Sequence, residues 1–281
     1  MPSTADAGMS DELTERVARA NLAAFDSAGA AAYIDGAPHL KHASLRRLYA
    51  KLLVEVFERA RRHTLSPRVL DLGAGEGSVT LPLLDLGAHV TAVDISPDQV
   101  AALRRKCAAY GDRLTARCED IAETLRTDGD CYDIIVANSF LHHVPDYLGL
   151  LRDLLPRLSA NGQFFSFQDP LRYSTQRRFD RLFDQAAYAF WRLGRRDVWR
   201  GLQRRWRRAR GVYSADSSHD NAEYHVLRDG LDQEAIVLLF GGARFSCRIE
   251  TYFSTQNVFF QSLGAALGIK NTFAIVASRQ R

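Results

Sequence analysis

From residue 68 onward the chain alternates short apolar runs with longer stretches of mixed polarity. The runs are RVLDL (68–72), HVTAVD (89–94), RLTARC (113–118), YDIIVA (132–137) and GQFFSF (162–167). Each has the length of a strand. The stretches between them, near 76–86, 97–109, 121–126 and 146–158, read as helices. Such alternation predicts a parallel sheet with right-handed crossovers and helices on both faces. Two more strand-like runs, RFSCRIETYF (244–253) and NTFAIVAS (271–278), predict an antiparallel, hairpin-like pair at the C-terminal end. The expected fold is α/β, a doubly wound, mostly parallel seven-stranded sheet.

Upstream of the first run, residues 11–27 and 44–62 read as helices. In the second of these Leu45, Leu48, Leu52, Val56 and Ala60 recur at helical spacing, and Ser66-Pro67 breaks the pattern. Residues 1–64 are therefore expected to form an N-terminal helical cap or lid, and residues 65–281 the main domain. Between the fifth and sixth strands, residues 170–243 are expected to be a helical insertion. Within it Phe179, Leu182, Phe183, Ala186, Ala187, Phe190 and Leu193 outline an amphipathic helix. Trp199, Leu202 and Trp206 outline a second.

Composition narrows the class. The 281 residues are 46% hydrophobic and 25% charged, as expected of a soluble globular protein with a sizeable core. No apolar run approaches the roughly 18 residues that would span a bilayer. The polar N-terminus, with its early acids, fits neither a signal nor a transit peptide. Cys107, Cys118, Cys131 and Cys247 are widely spaced, which suits reduced thiols in the cytoplasm. The net charge of +4 is unevenly spread, since residues 172–210 hold 13 arginines against three acids. That segment reads as a solvated basic face, as attraction to an anionic substrate or acidic partner, or as peripheral contact with anionic lipid. The charge alone would also suit nucleic acid. However, no recognised nucleic-acid module accompanies it, and the aromatic residues sit on the apolar side of the helix.

The chemistry gathers at VLDLGAGEG (69–77) and at Asp94, which closes the second apolar run. A glycine-rich turn between strand and helix lets backbone approach a ligand closely. A dinucleotide site needs G-x-G-x-x-G, but Ser78 stands where the third glycine belongs. Asp71 and Glu76 would also bring negative charge to a diphosphate at short range. A ligand with a cationic head and a ribose fits better. Asp71 can attract an ammonium group, and Asp94 can accept both ribose hydroxyls through charge-assisted hydrogen bonds.

With DLGAGEG (71–77), Asp94, Asp120-Ile121 and ANSFLHHVPD (137–146) in this order, the chain resembles the class I S-adenosylmethionine-dependent methyltransferases of small-molecule type. The resemblance covers roughly residues 65–170 and the final strand pair. It implies S-adenosyl-L-methionine as cofactor. Gly73 and Gly75 would approach the methionine part, Asp94 the ribose and Asp120 the adenine amine, with Ile95 and Ile121 sandwiching the adenine ring. Ala74 and Asn138 complete the implied cofactor set. Tyr33 could hydrogen-bond the methionine carboxylate or close the pocket, alongside His39 and His42 of the lid.

Methyl transfer mainly requires a positioned nucleophile, and a hydroxyl acceptor benefits from a base of near-neutral pKa. His142 or His143, with Asp169 after the fifth strand, supplies the candidates. Neighbouring side chains on one turn diverge, so at most one of the two histidines is expected to serve. His219 and His225 form no metal set, and none is expected. The aromatic face of 179–191 suggests an acceptor with large apolar area. The expected activity is methylation, most readily at oxygen, of a natural-product or lipid-like small molecule. C-methylation, a non-methylating cyclisation, and a nucleic-acid or membrane-associated enzyme using the arginine helices stay open as alternatives.

Overall fold

A computed structural model of the chain describes residues 37–127, 129–194 and 229–280, together with Glu12 and Asp35. The expected helix at 11–27, the second helix of the arginine-rich segment, Tyr33, His219 and His225 lie outside the described residues. Seven strands form one sheet: β1 (Arg68–Leu72), β2 (His89–Asp94), β3 (Leu114–Cys118), β4 (Tyr132–Asn138), β5 (Leu158–Pro170), β6 (Phe245–Tyr252) and β7 (Thr272–Arg279). Their order is β3-β2-β1-β4-β5-β7-β6. Strands β1 to β5 pair in parallel, and β7 runs antiparallel to both β5 and β6. The order reverses between β1 and β4, so their carboxyl ends open the crevice where ligands bind in such sheets. One register row crosses it: Asp71 lies beside Ala92 and Val136, and Val136 beside Phe165.

The helices are α1 (Pro38–Lys41), α2 (Ala43–Arg61), α3 (Thr80–Asp85), α4 (Pro97–Lys106), α5 (Ile121–Thr127), α6 (Tyr147–Leu154), α7 (Arg178–Gly194), α8 (Gln233–Gly242) and α9 (Val258–Ala266). Side chains alternate across each strand and so feed two cores. On one face Val69, Val136 and Phe165 pack with Leu53 and Phe57 of α2, Leu83 of α3 and Leu103 of α4. On the other, Leu70, Ile135 and Phe164 pack with Leu151 of α6 and Ile236 and Phe240 of α8. Each fully buried side chain of this size contributes about 1.5–3 kcal/mol through removal from water.

Several expectations shift. Helix α2 shares the first core with the sheet, so the boundary drawn after residue 64 does not separate it from the main domain. Helix α8, at the end of the expected insertion 170–243, packs against the sheet in the second core, and residues 195–228 of that segment lie outside the described residues. The last two strands are neighbours, yet α9 lies between them and they form no tight hairpin. Its start is fixed by Asn257, whose side chain accepts the Phe260 N–H at 3.1 Å. The fifth strand is longer than its apolar run, and a bulge interrupts it between Ser166 and Asp169.

Candidate functional site

The glycine loop leaves β1 with Gly73, Gly75 and Gly77 at φ of 65°, 54° and 98°, a region that L side chains avoid. At Gly73 a Cβ would also come within 2.5 Å of the Phe140 ring, so the loop and the segment after β4 are in close contact. The Gly73 and Ala74 N–H groups donate to Val93 O. Asp94 receives the Gly75 N–H on Oδ2 and the Ser96 N–H on Oδ1, each at 2.8 Å. Its carboxylate is thereby held at the crevice, with a lone pair on each oxygen left for a further donor.

Asp71 is 1% exposed, beneath the loop. Thr80 donates its hydroxyl to Oδ2 at 2.6 Å, and the buried Oδ1 has no hydrogen-bond partner. Burial pushes this carboxyl up to about 7, against the opposing pull of the Thr80 bond. Glu76 behaves differently from the sequence expectation. Lys106 reaches it at 2.5 Å, so its charge is balanced within the fold. The argument against a diphosphate therefore rests on Asp71 and on the glycine spacing.

Ile95 lies 72% exposed just past β2, a large apolar side chain left in water beside Asp94. Asp120 caps α5 by accepting the Ala122 N–H at 2.8 Å, and Ile121 packs at the edge of the second core. The apolar Ile95, the acids Asp94 and Asp120, and the loop of Gly73, Ala74 and Gly75 thus follow the carboxyl ends of β1, β2 and β3. These residues could hold the cofactor that the sequence pattern implies. Asn138 ends β4 in register with Phe167, and its buried Oδ1 lacks a hydrogen-bond partner.

Past β4 the chain makes a short 3-10 turn, Leu141–His143. It turns His142 inward to 3% exposure and leaves His143 exposed. His142 Nδ1 lies 2.9 Å from Asp169 Oδ1, and its backbone N–H lies 3.3 Å from the same oxygen. Asp169 is fully buried, and Oδ2 has no hydrogen-bond partner. Two left-handed residues shape this corner, Ser139 at φ 52° and Gln168 at φ 70°. Non-glycine residues adopt that conformation only where the surroundings impose it. At Ser139 the N–H donates to Phe167 O at 2.7 Å. At Gln168 the N–H donates to the Tyr252 hydroxyl at 2.9 Å, and the side chain donates to Ser254 at 2.7 Å.

Sequence reasoning missed Tyr252, Gln168, Ser254 and Thr80. None carries a local signal, because each acts through a partner distant along the chain or hidden under the loop. Among the lid residues, His42 Nε2 lies 2.7 Å from Thr255 O. His39 is 4% exposed, edge-on to Phe167, and burial drops it to about 4, so it is neutral at physiological pH. Among the described residues no group of three or more His, Cys, Asp or Glu side chains could hold a metal ion. Among them also no helix is long and apolar enough to cross a membrane.

Residues 70–164 match a family described as methyltransferase domain. The ubiquinone biosynthesis O-methyltransferase of Xanthomonas axonopodis pv. citri is 29% identical over 106 residues, 38% of this chain and 44% of that protein. The malonyl-[acyl-carrier protein] O-methyltransferase of Bacillus cereus is 32% identical over 124 residues, 43% of this chain and 45% of that protein. The chain thus spans less than half the length of these relatives. In fold it is similar to the plantazolicin methyltransferase BamL, solved with a triazolic desmethylPZN analog and SAH. The TM-score is 0.51 at 14% identity, covering 97% of this chain and 99% of that one. BpumL, a plantazolicin methyltransferase in complex with SAH, gives 0.50 at 17% identity, covering 97% and 100%. Sheet order and glycine loop agree with the matched segment: residues 70–164 are similar to a methyltransferase domain, and the fold is that of the S-adenosylhomocysteine-bound neighbours.

Proposed function

We propose that the chain methylates a hydroxyl of a small, largely apolar acceptor, with S-adenosyl-L-methionine as donor and His142 as general base. The observation that carries this reading is the buried His142–Asp169 pair beside the glycine loop. A carboxylate at Nδ1 keeps the proton on that nitrogen and the basic lone pair on Nε2. It also stabilises the imidazolium formed when the acceptor gives up its proton. Asp169 acts here as the orienting group, through Oδ1.

The cofactor fits the residues present. Asp71 Oδ1 is a buried acceptor suited to an ammonium group, and Asp94 is fixed where a ribose diol would meet it. Ile95 offers the apolar contact that an adenine ring needs. When bound, the cofactor supplies a methyl group already activated on a sulfonium. The protein's task is then to align the acceptor oxygen, exclude water and accept one proton. Both curated relatives are named as O-methyltransferases, which supports oxygen as the target. One of the two is named for ubiquinone biosynthesis, which supports an acceptor of substantial hydrophobic area.

The test is transfer of label from methyl-labelled cofactor to a panel of apolar phenols and fatty acyl acids. Transfer is expected to an apolar hydroxyl compound, and His142→Ala is expected to lower turnover about 100-fold, the usual contribution of a positioned base. Affinity for S-adenosylhomocysteine should stay within about twofold. Full turnover in the variant would remove His142 from the mechanism, and label found only on carbon or nitrogen would remove the hydroxyl.

A further inference from the structure

Helices α7 and α9 lie side by side. Phe183 and Phe190 of α7 meet Phe260 of α9 with ring centroids 5.4 and 5.2 Å apart. Gly264 permits the approach, since a Cβ there would lie 2.4 Å from Phe253 and 3.0 Å from Phe183. Beside this seam large apolar side chains face outward. Phe179, Leu182, Phe190 and Leu193 of α7 are 56–65% exposed, as are Val258 and Phe259 of α9 at 60% and 68%. Leu267, just past α9, is 51% exposed. Single exposed apolar residues are ordinary, but a contiguous group on two packed helices marks a contact surface.

Among the described residues, the exposed charges on α7 and just beyond α9 are basic. Along α7, Arg178, Arg181 and Arg192 share a helical stripe next to the apolar one, with Gln185 between them. Of the two acids of α7, Asp180 is 3% exposed and paired with Arg177, and Asp184 is half-buried and accepts from Asn271 at 2.8 Å. Lys270 is exposed beyond the end of α9. The sequence after α7 continues the trend, with eight arginines and one aspartate in residues 195–210.

We infer that the α7–α9 surface docks on an anionic lipid membrane, lying in the interface with Leu182, Phe190 and Phe259 inserted and the arginines at headgroup level. Charge complementarity selects this occupant. A nucleic acid would engage the arginines and leave the apolar side chains in water. A second copy of the chain would cover the apolar side chains and bring like charges together, at an energetic penalty. A lipid surface accepts both, with acyl chains beneath an anionic layer. The inference stands on the surface alone and does not depend on which acceptor is methylated.

The experiment is co-sedimentation of the full chain with vesicles of phosphatidylcholine, with and without one third phosphatidylglycerol. Binding is expected to the anionic vesicles in 0.1 M salt, at least tenfold weaker to phosphatidylcholine alone, and strongly reduced in 0.5 M salt. Leu182→Ser with Phe259→Ser should lower partitioning at least tenfold, and Arg178→Gln with Arg181→Gln about tenfold. Both double variants should keep the parent melting temperature within a few degrees and the parent affinity for S-adenosylhomocysteine. Absence of vesicle binding by the parent chain overturns the inference. So does vesicle binding that the Leu182 and Phe259 substitutions leave unchanged. A dimer that these substitutions dissociate would assign the surface to a second copy. Tighter binding to duplex RNA than to anionic vesicles would assign it to nucleic acid.

Discussion

The two sides of the crevice are built differently. On the side of β1, β2 and β3, the acids that end the strands are held by partners two to 19 residues away. Asp94 is tied to Ser96 and to Gly75, Asp120 to Ala122, and Asp71 to Thr80. Unusual backbone there falls on glycines. On the side of β4 and β5 the contacts span long stretches of chain. Asp169 meets His142 across 27 residues, and Gln168 meets Tyr252 and Ser254 across 84 and 86. Left-handed backbone there falls on Ser139 and Gln168. The first side is complete once β1 and β2 have paired and the loop between them has closed. The second needs β5 and β6 brought together through β7.

The sharpest test of this division is to damage the first side and read the cofactor. Asp94→Ala removes the acceptor for two backbone N–H groups and for the proposed ribose contact. Charge-assisted bonds of this kind contribute about 1.5–3 kcal/mol each, so affinity for S-adenosylhomocysteine should fall about 100-fold by calorimetry. Asp94→Asn keeps the acceptor oxygen and should lose only about tenfold. Equal affinities for the parent and Asp94→Ala would show that the ribose is held elsewhere.

The same division sets what the sequence made legible. The glycine spacing, Asp71, Asp94 and Asp120 are local patterns, and the seven strands follow from short apolar runs. His142 and Asp169 were legible as candidates because each lies just past an apolar run of the sheet. A histidine oriented by Asp169 was legible, but which of the two histidines was not, since that depends on the bulge at Gln168 and on the inward turn at Leu141–His143. No hydrophobic period encodes either feature. Helix α9 was missed because its nine residues, VFFQSLGAA, carry little polar alternation and its cap at Asn257 was overlooked. Glu76 was misjudged because its partner, Lys106, lies 30 residues away on α4.

A second test uses pH. The Asp71 carboxyl of the unliganded fold is lifted by burial to about 7 from an unfolded value near 3.8. The folded state therefore holds its proton longer than the unfolded chain. From this group alone, stability falls as pH rises from about 4 to about 7. His39 acts in the opposite sense, since burial lowers it to about 4. Its contribution is lost as pH falls from 6.5 toward 4, so the effect of Asp71 is read as the difference between parent and Asp71→Asn melting curves. An ammonium group at Oδ1 favours the carboxylate, and its binding would release a proton. Affinity for S-adenosylhomocysteine should then rise by up to about tenfold per pH unit below 7 and level off above it. In Asp71→Asn the titration should be flat. A flat titration in the parent would place the ammonium away from Asp71.

The smallest expected effect tests the strain on the second side. At Ser139, φ is 52°, where a residue with a Cβ is disfavoured by about 1 kcal/mol relative to glycine. The backbone N–H to Phe167 O bond does not need the side chain, so Ser139→Gly keeps it. Part of the relief is offset by the greater freedom glycine has in the unfolded chain. The net gain should be a few tenths to about 1 kcal/mol, or about 2 °C in melting temperature for a chain of this size. Ser139→Val should lower the melting temperature by at least as much, because a β-branched residue fits this region worst. Neither change should alter affinity for S-adenosylhomocysteine by more than about twofold, because the cofactor side holds its own groups. If Ser139→Gly destabilised the fold, the serine side chain rather than the sheet would be holding the turn. If it weakened the cofactor, the two sides would be one unit, coupled through Phe140 where it rests on Gly73.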